Sequence, residues 1–125
     1  MKKMMIMAAL LLFAGQIANA QIKVDEIKLG TGVENKDIVG EATSFASTTE
    51  KVYCWMKLSG GSQGSSVTVK WYLNNSPAGE VPLEINGTPW RTYSFKTING
   101  VKGDWKVEIV DATGNVLQTA TFKTE

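Results

Sequence analysis

No histidine occurs anywhere in the 125 residues, and cysteine occurs once, at Cys54. The first absence removes the commonest general base, the Ser-His and Cys-His nucleophile pairs and every imidazole metal ligand. The second excludes an internal disulfide and a thiolate metal cluster. Neither sign of charge dominates: 13 Lys+Arg stand against 12 Asp+Glu, a net of +1. A nucleic-acid binder needs a clustered basic surface, so no nucleic-acid partner is expected. These absences predict a chain that is not an enzyme and holds no cofactor and no metal.

Long apolar runs are also lacking, with one exception at the start. Lys2 and Lys3 precede an apolar stretch from Met4 to Ala14, and Ala18-Asn19-Ala20 closes the segment. A basic start, a short apolar stretch and an A-x-A ending read as a secretory signal peptide cut after Ala20. The stretch is 11 residues, short of the roughly 20 that span a bilayer, so no stable membrane span is expected once it is cut. Residues 1–20 are therefore expected to be a cleaved signal and residues 21–125 a single domain, periplasmic or secreted. That length suffices for one hydrophobic core without covalent staples.

What is present after residue 20 is period-two alternation, interrupted by Gly, Asn, Pro and Ser clusters. Ile22 to Leu29 alternates loosely. Residues 30–49 read as an irregular edge segment, with room for a short strand around Ile38. Val52, Cys54, Met56 and Leu58 share one strand face, with Tyr53, Trp55 and Lys57 on the other. Val67, Val69, Trp71 and Leu73 follow a Gly/Ser-rich loop, and Asn74-Asn75-Ser76-Pro77 makes a turn. Val81, Leu83 and Ile85 form a strand that Pro82 assigns to an edge. Trp90 to Thr97, then Trp105, Val107 and Ile109, then Asn115 to Lys123 complete the set. The expectation is all-β: an antiparallel, immunoglobulin-like β-sandwich of about seven strands.

Trp71, Trp105, Val107 and Ile109 fall in phase with the aliphatic positions of their strands and are expected in the core. Cys54 is read as a small buried hydrophobe, because no positive group shares its face. If residues 86–89 are a hairpin loop, Ile85 faces Trp90 and Glu84 faces Arg91. That register turns Trp90 inward and Arg91, Tyr93 and Phe95 outward, and a single bulge would reverse it.

Three chemical constellations are weak. Glu80 and Glu84 share a strand face at roughly 13 Å, beyond the ~5–9.5 Å of a glycosidase pair. Glu34, Asn35 and Asp37 lack the regular spacing of a calcium loop. The Gly/Ser loop at 59–66 precedes a strand and lacks the ending of a phosphate cradle. A surface reading is stronger. If the Tyr53 strand pairs with the Trp90 strand, then Tyr53, Trp55 and Tyr93 form one aromatic strip flanked by Lys57 and Arg91. These five are the expected ligand-binding residues, for a glycan or cell-envelope polymer. The alternative is a structural or assembly subunit that pairs with another envelope protein through this face or an exposed edge strand. Cover of the aromatics by the N-terminal segment would favour a purely structural role, so the exposure of Trp55 discriminates.

Several ordered motifs resemble one bacterial family. They are Val52-Tyr53-Cys54-Trp55-Met56-Lys57-Leu58, Val67-Thr68-Val69-Lys70-Trp71-Tyr72, Ala78-Gly79-Glu80-Val81, Gly87 to Lys96 and Gly103-Asp104-Trp105-Lys106-Val107. Together, across roughly residues 50–118, they resemble the domain of unknown function 2914. The resemblance implies a small all-β module of exported or membrane-linked proteins, without an established activity. The family pattern favours an aromatic where Cys54 stands, an acidic residue at Lys57 and a His near Val69, so a polar site built on those side chains is missing here.

Overall fold

The computed structural model describes residues 21–61, 64–86 and 89–125. The expected signal segment lies outside them. The described residues form ten strands: β1 (Ile22–Gly30), β2 (Gly32–Glu34), β3 (Asp37–Val39), β4 (Ser44–Phe45), β5 (Lys51–Gly60), β6 (Ser65–Leu73), β7 (Ser76–Ile85), β8 (Trp90–Thr97), β9 (Gly103–Asp111) and β10 (Val116–Thr124). Seven of these are long, as the alternation predicts, and the other three are short strands within residues 30–49. No helix among the described residues is long and apolar enough to cross a membrane.

The strands make a sandwich of a three-stranded sheet, β1-β5-β8, and a five-stranded sheet, β4-β10-β9-β6-β7, with β2-β3 as a separate hairpin. Long-strand pairings are antiparallel, whereas β4 joins β10 in parallel. Val52, Cys54, Met56 and Leu58 from one sheet meet Val67, Val69, Trp71, Trp105, Val107 and Ile109 from the other, and all are buried. Trp105 stacks on Phe122 at 5.6 Å between ring centroids, and its indole N–H donates to Thr124 Oγ1 at 3.0 Å. The Trp71 N–H is equally buried and finds no hydrogen-bond partner. Burial lifts the Cys54 thiol to about 12, so it stays a neutral, apolar group.

Turn chemistry fixes the local hairpins. Asn74 and Asn75 both hold positive φ, 50° and 69°, between the paired residues Leu73 and Ser76. Two left-handed residues in a two-residue loop match the strand twist, and Asn tolerates that region. At the β9–β10 turn, Asp111 Oδ1 accepts from the Thr113 and Asn115 backbone N–H groups. The Asn115 N–H bond, with help from Thr113, holds the carboxyl of Asp111 below its ordinary value. A depressed carboxylate contributes stability that is present above its unfolded pKa and is lost as pH falls through its folded pKa. Asp111→Ala should therefore melt below the parent at neutral pH. The gap should close on acidification below the usual Asp range, in paired thermal melts.

One expected pairing is corrected. β7 does not form a hairpin with β8; it pairs only with β6, and β8 pairs with β5 in the other sheet. Ile85 therefore does not face Trp90, nor Glu84 Arg91. Glu84 stands opposite Ser66, and Arg91 stands opposite Lys57. The physical reason lies in β5, whose residues Cys54, Trp55 and Met56 are buried in succession on both faces. A strand buried on both faces belongs inside its sheet, with a neighbour on each edge, and β8 supplies the second.

Candidate functional site

The outward face of the three-stranded sheet brings the expected residues together. Along β5 that face carries Lys51, Tyr53, Trp55 and Lys57. Their β8 partners are Thr97, Phe95, Tyr93 and Arg91 in the same order. The Tyr53 ring lies 5.8 Å from Tyr93 and 5.5 Å from Phe95, both tilted. Tyr93 and Phe95 are 45% and 43% exposed, among the most exposed large hydrophobic residues described. Lys51 Nζ sits 4.6 Å from the Phe95 ring centroid, a cation–π contact at one end of the strip.

Trp55 behaves differently from its neighbours. It is only 3% exposed, because the β2–β3 hairpin folds over it. That hairpin turns at Asn35 and Lys36, both at positive φ. The turn aims the Lys36 carbonyl at the Trp55 indole, whose N–H donates to it at 2.7 Å. Gly30 permits the fold-back, since a Cβ there would strike the Val39 carbonyl. Lys28 Nζ covers the other part of the ring at 5.3 Å from its centroid. Trp55, expected among the ligand-binding residues, is instead covered, the outcome that a structural role for this residue predicts; the open rings are Tyr93 and Phe95, with Tyr53 half-buried beside them.

Arg91 closes the hairpin's far side through an ion pair with Asp37 at 2.9 Å. Asp37, considered above as a calcium ligand, is thus tied to a cation. Among the described residues no group of three or more Cys, Asp or Glu side chains gathers at one point. Between the hairpin tip and the strip lies a depression of about 430 Å³, lined by Lys36, Trp55, Pro89, Trp90, Arg91, Thr92 and Tyr93. Trp90 is half-buried and packs against the core, and its indole N–H has no partner.

Tyr72 also faces outward, but from the five-stranded sheet, under Lys106 at 4.7 Å. It does not join the strip. A larger depression of about 640 Å³ lies beside the parallel β4–β10 pair, lined by Thr43, Ser44, Asn74, Asp104, Trp105 and Lys123 among others. Its rim carries the Lys123–Asp104 pair at 3.5 Å. Sequence reasoning did not find this place, because the two-residue strand that borders it has no periodic signal. Phe95 and Lys51 are likewise absent from the five expected binding residues. The alternation of Phe95 with Tyr93 was the signal that could have added it.

What this face offers chemically is π surface and cationic side chains. Flat aromatic rings at a strand surface suit the C–H face of a pyranose or the apolar side chains of a partner.

Among solved structures, the chain is similar to the sensor domain of the anti-sigma factor RsgI4 in Pseudobacteroides cellulosolvens. The two are 10% identical with a TM-score of 0.52, over 81% of this chain and 93% of that one. At that identity the likeness concerns the fold alone. No curated protein matches the chain. A family model described as protein of unknown function (DUF2914) matches residues 64–124, from just before β6 to the end of β10. The strand carrying Tyr53 and Trp55 lies before that span, and Tyr93 and Phe95 lie within it. Over these residues the chain resembles the DUF2914 proteins, the family its motifs pointed to.

Proposed function

We propose that this chain is an exported, non-catalytic binding module that recognises a glycan or cell-envelope polymer on its Tyr53–Tyr93–Phe95 face. The observation that carries the reading is the exposure of the Tyr93 and Phe95 rings along one face of β8, with the half-buried Tyr53 ring of β5 packed against both. Buried aromatics build cores; rings kept in water at a sheet surface are the usual anchors of binding contacts. Lys57 and Arg91 supply polar contacts at one end and Lys51 at the other. The sandwich is similar in fold to one that serves as a sensor domain, which fits a recognition role. Periplasmic or secreted placement follows from the signal-like residues 1–20.

The test is a panel of soluble polysaccharides, neutral and acidic, together with peptidoglycan fragments, titrated against the protein by calorimetry. Tyr93→Ala combined with Phe95→Ala should abolish binding of whichever polymer the parent binds. Stability should fall by only about 2 kcal/mol or less, since each of the two cross-strand pairs lost contributes about 0.2–1 kcal/mol. Undiminished binding by that variant, or no binding across the whole panel, would sink the reading. The alternative, an assembly subunit pairing with another envelope protein, is favoured by one observation: β8 is an edge strand.

A further inference from the structure

That edge has a polarity that can be worked out. Just beyond the last β5–β8 pair, Lys51 with Thr97, the Ile98 N–H donates to the Glu50 carbonyl at 2.9 Å. The β5–β8 register runs without a shift, and hydrogen-bonded pairs alternate along an antiparallel ladder. Thr92, Ser94 and Lys96 therefore direct their N–H and C=O groups to β5. Arg91, Tyr93, Phe95 and Thr97 direct theirs to the free edge. Among the described residues, those of β8 with outward side chains are the same ones whose backbone groups find no partner.

The other sheet edges are protected. β7 carries Pro77 and Pro82 and a register shift opposite Trp71 and Tyr72. β1 has a shift between Val24 and Glu26 and four charged residues. β4 is two residues long. Proline, bulges, charge and shortness are the common means of blocking strand addition. β8 has no proline and no bulge over its eight residues.

We infer that β8 is a self-pairing edge, joining two copies of this chain in an antiparallel two-fold dimer centred on Ser94. In that register Tyr93 of each copy faces Phe95 of the other, and Arg91 faces Thr97. Both pairs fall on edge-directed residues, so roughly eight interchain hydrogen bonds form. Lys96 falls opposite Thr92, so no cation meets a cation. The sequence of β8 is thus complementary to its own reverse, as a two-fold interface requires. The two three-stranded sheets become one of six strands, and the aromatic strips of both copies meet at its middle. The dimer stands whether or not the face also binds a glycan.

Sedimentation velocity of the purified protein over a wide concentration range tests this. The parent should pass from monomer to dimer as concentration rises. Tyr93→Lys combined with Phe95→Lys puts like charges opposite one another and should leave only monomer where the parent is dimeric. Tyr93→Lys combined with Phe95→Glu restores opposite charges across the same two pairs and should restore the dimer. Amide exchange on the parent gives a readout without substitutions: the N–H groups of Arg91, Tyr93, Phe95 and Thr97 should gain protection with concentration. A parent monomeric throughout, a dimer that survives the double-lysine change, or edge amides that exchange alike at all concentrations would each overturn the inference.

Discussion

Trp71→Ala should lower the folding free energy by about 3–5 kcal/mol, a large share of the 5–15 kcal/mol of an ordinary domain. Trp71 is the largest fully buried side chain of the core and touches Phe122 edge-on at 6.3 Å. Its strand lies between β7 and β9, so the neighbouring sheet cannot collapse into the space left behind. Trp71→Phe separates two contributions. The indole N–H is buried without a partner, so its removal relieves a desolvation cost while volume is lost, and this change should cost well under the alanine value. Urea unfolding of the two variants beside the parent checks both figures. A Trp71→Ala protein that unfolds at the parent's midpoint would contradict the packing described here.

Trp55→Ala is the second large effect, and a less obvious one, because the residue sits on the outward face of its sheet. The loss should be about 3–5 kcal/mol, close to that of a core tryptophan, since the β2–β3 hairpin seals the ring from water. Trp55→Phe should cost more than the same change at Trp71. It removes the bond to the Lys36 carbonyl at the exposed turn of the hairpin, a loss of about 0.5–1.5 kcal/mol. The comparison also reads the hairpin. If residues 31–39 depend on Trp55 for their docking, either variant should expose them to protease before the rest of the chain unfolds. Trp55→Ala melting with the parent would mean that the hairpin does not cover the ring.

Side-chain alternation told which way residues point and not what they pair with. Trp71, Trp105, Val107 and Ile109 were assigned inward from their own strands and lie there. Trp90 was turned inward and Tyr93 and Phe95 outward through a β7–β8 hairpin that does not exist. The faces agree because period two fixes parity along β8 whichever neighbour it has. The partner is decided by something less local: a β5 with apolar residues on both faces must lie inside its sheet. That signal was present in Tyr53-Cys54-Trp55-Met56, read only as one buried face and one exposed.

Residues 30–49 were the least legible. Val33 and Ile38 are too few for a periodic pattern. The turn at Asn35 and Lys36 places a lysine in a left-handed conformation that propensity does not favour. What fixes the hairpin is tertiary: the indole of Trp55 and the ion pair from Arg91. Both partners lie far along the chain, so no local window contains the reason. The candidate site suffered accordingly. Tyr53, Tyr93, Lys57 and Arg91 share one face as expected, while for Trp55 the alternative of cover by residues 30–49 is the one the structure shows.

The change of sheet between β7 and β8 also bears on which pairings can close early. In the five-stranded sheet, β6–β7 and β9–β10 are hairpins of adjacent segments and close short loops. In the three-stranded sheet no pair is adjacent in sequence: Leu29 must find Cys54, and Cys54 must find Ser94. Loop-closure entropy delays such contacts until a scaffold holds their ends near one another. The β6–β7 and β9–β10 hairpins are therefore expected to form before β5 finds β1 and β8, and the aromatic face is expected to take shape after those hairpins.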